Sequence, residues 1–184
     1  MGRAFHWAGF TGRRGDYSSR RPIGAVVGDL KQVRVVLASE DQLDAVRGLW
    51  REYWAALRLP DTFQNFAAEL GTLPGVYAPP SGRLLLALLD NQAAGTVALR
   101  PIHHRACEAK RLYVRPQHRG NGIGRLLLRR LVEEARTAGY EQMYGDTLPS
   151  MGSALRMYHA FGFSETGPYS DDPTPGAIYL RLLL

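Results

Sequence analysis

The sequence predicts a single mixed α/β domain in which helices flank a central sheet. Its length of 184 residues suits one domain rather than two. Two apolar segments, 83–89 and 93–101, are joined by the short turn Asp90-Asn91, which is the pattern of a β-hairpin. After a third strand over 108–114, helical and strand segments alternate to the end of the chain, and such alternation is typical of mixed sheets covered by helices.

The first half of the domain is predicted to contain one strand, two helices and the hairpin. Val and Leu residues over 33–37 form a short β-rich run. The segment Ser39-Glu40-Asp41-Gln42 has the Ser and Gln spacing of a capping box, which opens a helix. Apolar residues then recur at helical spacing over 43–57, and Pro60 ends that segment. A second, shorter helix is predicted over 61–70.

The second half is predicted to alternate between helices and strands. Apolar residues at helical spacing predict a long helix over 123–137, and a strand follows over 141–147. A helix over 150–160 then leads through the turn Phe161-Gly162-Phe163 into another strand. After a loop rich in Pro, Asp and Gly, the last strand is predicted over 177–184.

The positive charge of the chain is concentrated near its start. Of the net charge of +6, residues 1–32 carry +4, and residues 33–184 carry only +2. Because residues 1–32 show no sustained helical or strand period, they are predicted to be a flexible basic leader, and residues 33–184 form the domain. The nearly neutral charge of the domain argues against nucleic acid as its partner.

Signals for a membrane protein, a disulfide and a metal site are all weak. The longest apolar run, 84–89, is far shorter than the roughly 20 residues of a membrane-spanning helix, so no membrane partner is expected. Cys107 is the only cysteine, which excludes an intramolecular disulfide and fits a cytoplasmic location. His103 and His104 lie near Cys107, but no second cluster completes a tetrahedral set, so no metal site is predicted.

The most informative segment joins a strand to a helix through a glycine-rich loop, Arg119-Gly120-Asn121-Gly122-Ile123-Gly124-Arg125. Glycines let a ligand approach the backbone closely, and the free N–H groups at a helix start favour phosphates. A Rossmann fingerprint would need Gly or Ala where Arg125 stands. A P-loop would need Lys and then Ser or Thr after Gly124. Both of these loop types are therefore excluded.

The segment Arg119-x-x-Gly122-x-Gly124 resembles the signature of the GNAT superfamily, the acyl-CoA-dependent N-acetyltransferases. Two neighbouring segments strengthen the resemblance. Leu112-Tyr113-Val114 is similar to the family's splayed strand, and the segment 154–163 is similar to its late helix with a tyrosine and a Gly-Phe turn. The order of predicted elements agrees with the family over residues 33–184. One departure is Met151, which stands where the family often has an asparagine that contacts pantetheine.

The resemblance implies a mostly antiparallel, twisted central sheet that contains one parallel pair of splayed strands. It also implies acetyl-CoA as the cosubstrate, without a metal. The splayed strand would pair with the pantetheine arm, and the loop with its following helix would hold the pyrophosphate. The residues that the resemblance assigns to acetyl-CoA binding are Leu112, Tyr113, Val114, Arg119, Gly120, Asn121, Gly122, Ile123, Gly124 and Arg125.

The resemblance further assigns two catalytic side chains. Glu108 matches the position at which several members place the glutamate that takes a proton from the acceptor amine, although it could instead pair with a neighbouring base such as Lys110. Tyr158 would protonate the departing thiolate, the alternative being a core tyrosine. A backbone N–H near Tyr113 and Val114 would stabilise the oxyanion.

The expected reaction is transfer of an acetyl group from acetyl-CoA to the primary amine of a small molecule, by direct attack in a ternary complex. Members of the family bind the acceptor between the early helices and the loop before the last strand. In this chain those regions and the neighbouring strand supply Trp50, Tyr53, Trp54, Phe63, Asp146, Tyr169, Asp171 and Asp172. Aromatic and acidic side chains suit a cationic amine, but the helical spacing of the first three also fits a core role.

Other functions stay open at this point. They are acetylation of a protein N-terminus or lysine, a non-catalytic acyl-CoA-binding sensor, and nucleic-acid binding through the basic leader. Retention of both Glu108 and Tyr158 favours an enzyme over a sensor. A homodimer also stays open, because dimers are common among similar proteins but no segment of this chain specifies an interface.

Overall fold

The computed structural model describes residues 32–58, 63–170, 173 and 176–184. The basic leader predicted over 1–32 therefore lies outside the described residues, apart from Gln32. Within the described ranges, no helix is both long and apolar enough to cross a membrane.

The strands of the described chain form one seven-stranded sheet. They are β1 (Val33–Leu37), β2 (Arg83–Leu89), β3 (Gln92–His103), β4 (Ala106–Val114), β5 (Gln142–Thr147), β6 (Ser164–Thr166) and β7 (Ile178–Leu183). Their order across the sheet is β1-β2-β3-β4-β5-β7-β6. All neighbouring pairs are antiparallel except β4 and β5, which are parallel. This arrangement confirms the predicted fold class.

Helices cover both faces of the sheet. Those in the described ranges are α1 (Leu43–Leu57), α2 (Phe66–Gly71), α3 (Ile123–Thr137) and α4 (Gly152–Ala160). Helices α1 and α2 contribute to the hydrophobic core on one face, and α3 and α4 contribute to the core on the other. The bounds of α1 and α3 agree with the predicted segments.

Side chains of the central strands alternate between the two cores. On β2, Leu85 and Ala87 belong to the core beneath α3, whereas Leu84 and Leu86 belong to the core beneath α1. All four are buried, because helices cover both faces of this strand. Full burial on both faces explains why β2 reads as a continuous apolar run. Burial of one leucine side chain stabilises the fold by about 1.5–3 kcal/mol, so this strand contributes to both layers.

Two local predictions are confirmed in detail. The hairpin between β2 and β3 turns at Asp90 and Asn91, whose φ angles are 50° and 64°. Positive φ at both central positions is what a type I′ turn requires. At the 3-10 turn Glu40–Gln42, which leads directly into α1, the backbone N–H of Ser39 donates to Oε1 of Gln42 at 3.2 Å, as expected of a capping box.

The second predicted helix is shorter than expected. Instead of a helix over 61–70, the structure has a 3-10 turn at Phe63–Asn65 followed by α2 at Phe66–Gly71. Gln64 and Asn65 have φ angles of 52° and 53°, in the left-handed region that an α-helix cannot include. This backbone reversal breaks the helix, and residues 59–62 lie outside the described ranges.

Strand β4 contains a bulge in its pairing with β3. The register runs from Thr96 opposite Tyr113 to Ala98 opposite Lys110, so β4 has one extra residue between these pairs. Arg111 lies within the extra segment and has a φ of 58°. A bulge of this kind bends a strand and increases its local twist.

Strand β4 also separates from its parallel neighbour. The last pair between β4 and β5 is Glu108 with Tyr144, and beyond it the two strands have no paired residues. The family resemblance places the splay near Tyr113 and Val114, but the separation begins directly after Glu108. Strand pairing depends on the partner strand and on the bulge, which a pattern within β4 alone does not contain.

Candidate active site

The separation of β4 from β5 opens a gap in the sheet. Gly145 lies beside it, where an added Cβ would stand 3.7 Å from the carbonyl oxygen of Ala109 and 3.9 Å from the ring of Tyr158. A cavity of about 70 Å³ lies in this region, and we call it the narrow cavity. Its walls include Leu112, Asp146, Thr147, Met151, Ala154 and Tyr158.

Tyr158 is held at the narrow cavity by α4 and the turn that follows it. Its ring packs edge-on against Phe163, with ring centroids 5.0 Å apart. The side chain is buried, and burial raises the pKa of its hydroxyl, with Tyr53, Asp146 and Glu108 adding to the increase. The phenol therefore stays protonated at neutral pH and can act as a proton donor.

The glycine-rich loop presents backbone N–H groups at the start of α3. Gly120 and Gly122 have φ angles of 82° and 75°, which favour glycine, and an added Cβ on either would meet no atom within 4 Å. The N–H of Leu126 makes the first bond of the helix, to the carbonyl oxygen of Gly122 at 3.1 Å. The N–H groups of residues 123–125 therefore have no acceptor inside the helix, which suits an anionic ligand.

Polar side chains of the loop contact the loop itself or the end of β4. Nε of Arg119 donates to the carbonyl oxygen of Val114 at 3.0 Å, and its guanidinium lies 5.9 Å from the ring centroid of Tyr113. Nδ2 of Asn121 donates to the carbonyl oxygen of His118 at 3.3 Å. Arg119 thus braces the loop, while its exposed end is accessible from solvent. Arg125 is also exposed and lies 5.8 Å from the ring centroid of Phe161.

The side chains of the other residues predicted to bind the cofactor pack within the protein, which leaves their backbone for a ligand. Ile123 is 1% exposed and belongs to the core, so only its backbone is available to a ligand. Leu112 and Val114 pack against the α3 side of the sheet, and Tyr113 packs against Tyr53 on the opposite side. The backbone of this part of β4 has no partner in β5, which leaves that strand edge available for an extended ligand.

Met151, the residue that departs from the family pattern, lies in the wall of the narrow cavity. Met151 and Ala154 line it, and the Met side chain offers no hydrogen-bond donor comparable to an asparagine amide. Thr147 also lines this cavity, and its buried Oγ1 has no hydrogen-bond partner among the described residues. A buried hydroxyl without a partner is unusual in a protein interior, so this atom fits a polar group of a bound molecule.

A second and larger cavity, of about 630 Å³, lies beside the narrow one, and we call it the large cavity. Its walls include Glu69, Tyr77, Arg100, Glu108, Lys110 and Tyr169. Lys110, Arg111 and Asp146 line both cavities. The two spaces therefore adjoin next to β4, close to where it separates from β5.

Glu108 lies in the wall of the large cavity and is 3% exposed. Its Oε2 accepts a hydrogen bond from Nε of Arg100 at 2.6 Å, and its Oε1 lies 3.3 Å from Nζ of Lys110. The hydroxyl of Tyr169 also donates to Oε1 at 3.0 Å. Glu108 therefore pairs with Lys110, which is the alternative that the sequence left open. Arg100 is a second cation beside Glu108, and sequence reasoning missed it.

Lys110 is a buried cation between the two cavities. Besides Glu108, its Nζ contacts Oε1 of Gln64 at 3.3 Å. Burial lowers the pKa of Lys110, Arg111 and Arg100 lower it further, and Glu108 and Asp146 act in the opposite direction. Sequence reasoning did not select Lys110 as a site residue. The available signal was its position two residues after Glu108, since alternate residues of a strand share one face.

Arg111 forms a buried cluster with the early helices. Its guanidinium pairs with Glu69 of α2 and lies 4.8 Å from the ring centroid of Trp54. The hydroxyl of Tyr77 donates to the same Glu69 carboxylate, and burial and Glu69 raise the pKa of that hydroxyl. Trp54 in turn stacks on Phe66, with ring centroids 4.1 Å apart. The cluster joins the bulge of β4 to α1 and α2.

The aromatic and acidic residues proposed for acceptor binding occupy different environments. Trp50 and Trp54 are 0% and 3% exposed, as expected of core residues. Tyr169 lines the large cavity and packs between Tyr144 and Tyr179, with centroid distances of 5.0 Å and 5.7 Å. Asp171, Asp172 and the side chain of Phe63 lie outside the described residues.

The small His and Cys cluster of the sequence is dispersed in the structure. His103 and His104 are exposed, whereas Cys107 is buried. Burial raises the pKa of the Cys107 thiol to about 12, and Glu108 adds to the increase, so the thiol stays protonated at neutral pH. In the part of the chain that the structure describes, no group of three or more His, Cys, Asp or Glu residues could hold a metal ion.

Comparison with known proteins agrees with this geometry. The sequence pattern of the acetyltransferase (GNAT) family matches residues 43–163. A Schizosaccharomyces pombe protein named as an N-acetyltransferase is 39% identical over 142 residues, which is 76% of this chain and 87% of that protein. A Salmonella typhimurium enzyme named as an L-methionine sulfoximine/L-methionine sulfone acetyltransferase is 40% identical over 55 residues, or 30% of this chain and 32% of that enzyme.

A solved structure supports the fold assignment. The PaiA N-acetyltransferase of Thermoplasma acidophilum, solved in complex with coenzyme A, is 16% identical, with a TM-score of 0.65 over 83% of this chain and 99% of that one. The family pattern, the yeast relative and the shared fold all point to one group of enzymes. The chain belongs to the GNAT family and is an acyl-CoA-dependent acetyltransferase.

Proposed function

We propose that the protein transfers the acetyl group of acetyl-CoA to the primary amine of a small molecule, by direct attack in a ternary complex. The observation that supports this proposal most is that the narrow and large cavities adjoin, with Lys110, Arg111 and Asp146 in the walls of both. An acyl donor in one cavity and an amine in the other would meet beside β4.

The narrow cavity and the glycine-rich loop suit acetyl-CoA. This cosubstrate supplies a thioester, whose carbonyl carbon is attacked by the acceptor nitrogen while the C–S bond breaks. We assign the pyrophosphate to the backbone N–H groups of residues 120–125, with Arg119 and Asn121 holding the loop in shape. We assign the pantetheine arm to the unpaired edge of β4 at residues 112–114.

Tyr158 is assigned as the proton donor to the departing sulfur. Its raised pKa keeps the hydroxyl protonated, and its ring lies against Gly145 at the gap between the splayed strands. Because packing against Phe163 fixes the Tyr158 ring, the side chain loses little conformational entropy when its hydroxyl donates a proton, which favours catalysis. Backbone N–H groups of β4 beyond Glu108, where the strand has no partner in β5, are assigned to the oxyanion.

Glu108 is assigned as the acceptor of the amine proton. An alkylammonium ion has a pKa near 10, so it must lose a proton before its nitrogen can attack. The Glu108 carboxylate lines the large cavity, where the amine would bind. Arg100 and Lys110 compete with the proton for this carboxylate, because protonation would weaken both ion pairs. A substitution is therefore needed to separate proton transfer from simple positioning.

A small-molecule acceptor and a cytoplasmic location are also part of the proposal. A volume of about 630 Å³ lies within the range of roughly 300–1,000 Å³ that is typical of small-ligand sites. The Salmonella relative, named for two small amino-acid derivatives, supports the same class of acceptor. The single, buried cysteine supports a reducing compartment, which cell fractionation of the expressed protein would test.

The proposed function is tested by thiol release from acetyl-CoA in the presence of polyamines, amino acids, aminoglycosides and short peptides. Tyr158→Phe should lower kcat by about 100-fold for the best acceptor while the Kd for acetyl-CoA changes less than about twofold. Tyr140→Phe is the matched control, because the Tyr140 hydroxyl donates to the carbonyl oxygen of Ser81, outside both cavities.

The same assay separates the alternative functions. Turnover with peptides and with no small amine would instead identify a protein N-terminal or lysine acetyltransferase. Binding of acetyl-CoA without thiol release for any acceptor would support a non-catalytic sensor. Equal kcat for wild type and Tyr158→Phe would contradict the role of Tyr158.

A further inference from the structure

The large cavity contains an arginine that uses only part of its hydrogen-bonding capacity. Nε of Arg100 donates to Glu108, while its two terminal nitrogens have no hydrogen-bond partner among the described residues. The side chain is 36% exposed and lines the large cavity, so a molecule in that cavity can reach it. Two N–H groups of one guanidinium are arranged to bind both oxygens of a carboxylate.

Two carboxylates of the cavity, those of Glu69 and Glu108, are already engaged by groups of the protein. Glu69 pairs with Arg111 and accepts from Tyr77. Glu108 accepts hydrogen bonds from Arg100, Lys110 and Tyr169. Among the ion-pairing groups around Glu108, Arg100 therefore has the most unused donors, on its two terminal nitrogens. This distribution favours a negatively charged group of the ligand on the Arg100 side.

The overall charge of the cavity limits how much negative charge the ligand should carry. Among the described residues, its walls contain the cations Arg100, Lys110 and Arg111 and the acids Glu69, Glu108 and Asp146, so the formal charges of these residues balance. A dianion or a bare ammonium would leave an uncompensated charge in a half-enclosed space, which is unfavourable. A ligand with one ammonium and one carboxylate keeps the balance.

Arg100 and Asp146 lie on opposite sides of β4, so they are placed to contact opposite ends of such a ligand. Arg100 is the β3 neighbour of Glu108, and Asp146 lies on the β5 side, two residues beyond Tyr144, the β5 partner of Glu108. Adjacent paired strands are about 4.8 Å apart, so β3 and β5 are about 10 Å apart across β4 at the level of Glu108, before β4 and β5 separate. The gap that receives the acetyl group is on the β5 side, and Arg100 is on the other.

We propose, on the basis of the acetyl transfer proposed above, that the acceptor is a small amine that also carries a carboxylate. Its carboxylate binds the terminal nitrogens of Arg100, and its amine points towards the gap between β4 and β5. Arg100 then acts as a specificity-determining residue, because it favours amino-acid-like acceptors over amines of similar size without a negative charge.

The test uses matched acceptors that differ only in the carboxylate. An α-amino acid, 4-aminobutyrate and 6-aminohexanoate are each compared with the corresponding carboxamide and with an alkylamine of equal length. For at least one of the three, wild-type kcat/KM should be about tenfold higher or more for the carboxylate than for its partners, as expected of charge-assisted hydrogen bonds. Equal or higher kcat/KM for the carboxamides in all three sets would overturn the proposal.

Substitution of Arg100 connects the preference to this side chain. Arg100→Met should reduce the ratio of the two kcat/KM values to within about twofold, and Arg100→Lys should retain part of it. Arg105→Met is the matched control, because Arg105 pairs with Glu141 outside the cavity, and it should keep the wild-type ratio. An unchanged ratio in Arg100→Met would overturn the proposal.

Different results would contradict the proposed acceptor class and the proposed acetyltransferase function. Acetylation of carboxylate-free amines alone would leave the acetyltransferase function intact and overturn only the acceptor class. Thiol release with none of the acceptors, here or in the broader panel, would contradict the proposed function and the acceptor class together. Should Arg100→Met fail to fold, the wild-type comparison of matched acceptors still decides between these outcomes.

Discussion

Arg100 on β3 and Glu108 on β4 are direct cross-strand partners, and Nε of the arginine lies 2.6 Å from Oε2 of the glutamate. The same carboxylate lies 3.3 Å from Nζ of Lys110. Glu108 therefore holds two cations in the wall of the large cavity, in addition to the proposed task of accepting a proton. Removal of this carboxylate would therefore eliminate the proposed proton acceptor and also leave Arg100 and Lys110 without a counter-ion.

Glu108→Gln is expected to lower kcat by about 100-fold, because the amide cannot accept the amine proton. It also leaves Arg100 and Lys110 without their shared counter-ion. The measurement is kcat and KM as a function of pH, with urea denaturation as a check on folding. Tyr169→Phe is the control, since it removes one hydrogen bond to the carboxylate but keeps the charge. A rise in KM with unchanged kcat would show that Glu108 only positions the acceptor.

Gly145→Val is expected to raise the Kd for acetyl-CoA by about tenfold or more, because its branched side chain would fill the gap between β4 and β5. Gly145→Ala is the matched control, since its Cβ would stand at ordinary contact distances of 3.7 Å from Ala109 and 3.9 Å from Tyr158. Calorimetric titration with acetyl-CoA measures both variants. Equal affinity of the valine and alanine variants would contradict the placement of the pantetheine arm in this gap.

Glu69→Gln is expected to lower the free energy of unfolding by about 3–5 kcal/mol, because it leaves the buried charge of Arg111 without its partner. The Arg111 side chain is only 5% exposed, so water cannot replace the lost carboxylate. Tyr77→Phe removes one hydrogen bond to the same carboxylate and should cost only about 1 kcal/mol. Urea unfolding at neutral pH compares the two, and a smaller loss for Glu69→Gln than for Tyr77→Phe would be inconsistent with this account.

Stability is expected to fall as the pH rises above about 10, the pKa of an unperturbed tyrosine. Burial raises the pKa of Tyr77, Tyr158 and Tyr169, so the folded state keeps these protons when the unfolded chain has lost them. Their contribution is complete below pH 10 and decreases by about 1.4 kcal/mol per pH unit for each tyrosine above it. Urea midpoints measured from pH 8 to pH 11 test this, and Tyr158→Phe should lose less stability over that interval than wild type. Equal losses would show that the folded pKa of Tyr158 is not raised.

Much of the fold follows from local patterns. The hairpin depends on residues that accept positive φ at Asp90 and Asn91, and α3 depends on apolar spacing within one segment. Such signals act between neighbours in the chain, so one sequence contains them in full. The second predicted helix failed for the opposite reason: the residues around Gln64 and Asn65 have acceptable helical composition, but a left-handed backbone at these two positions breaks the segment.

The candidate site was only partly predictable. The resemblance selected the glycine-rich loop and Tyr158 as candidates, because both belong to contiguous motifs. Arg100 was missed, since its role depends on the register between β3 and β4, which places it opposite Glu108. Glu69 and Tyr77 were missed because they reach Arg111 only through packing of the early helices against the bulge.

From the sequence alone came the mixed α/β class, the glycine-rich loop and the resemblance to acyl-CoA-dependent N-acetyltransferases, since backbone propensities and short motifs act over a few residues. The tertiary structure decided where β4 leaves β5, which cations surround Glu108, and how the narrow and large cavities meet. These features join residues that are distant in the chain. Their positions depend on strand register and on burial, and neither is set until the sheet and its helices have packed.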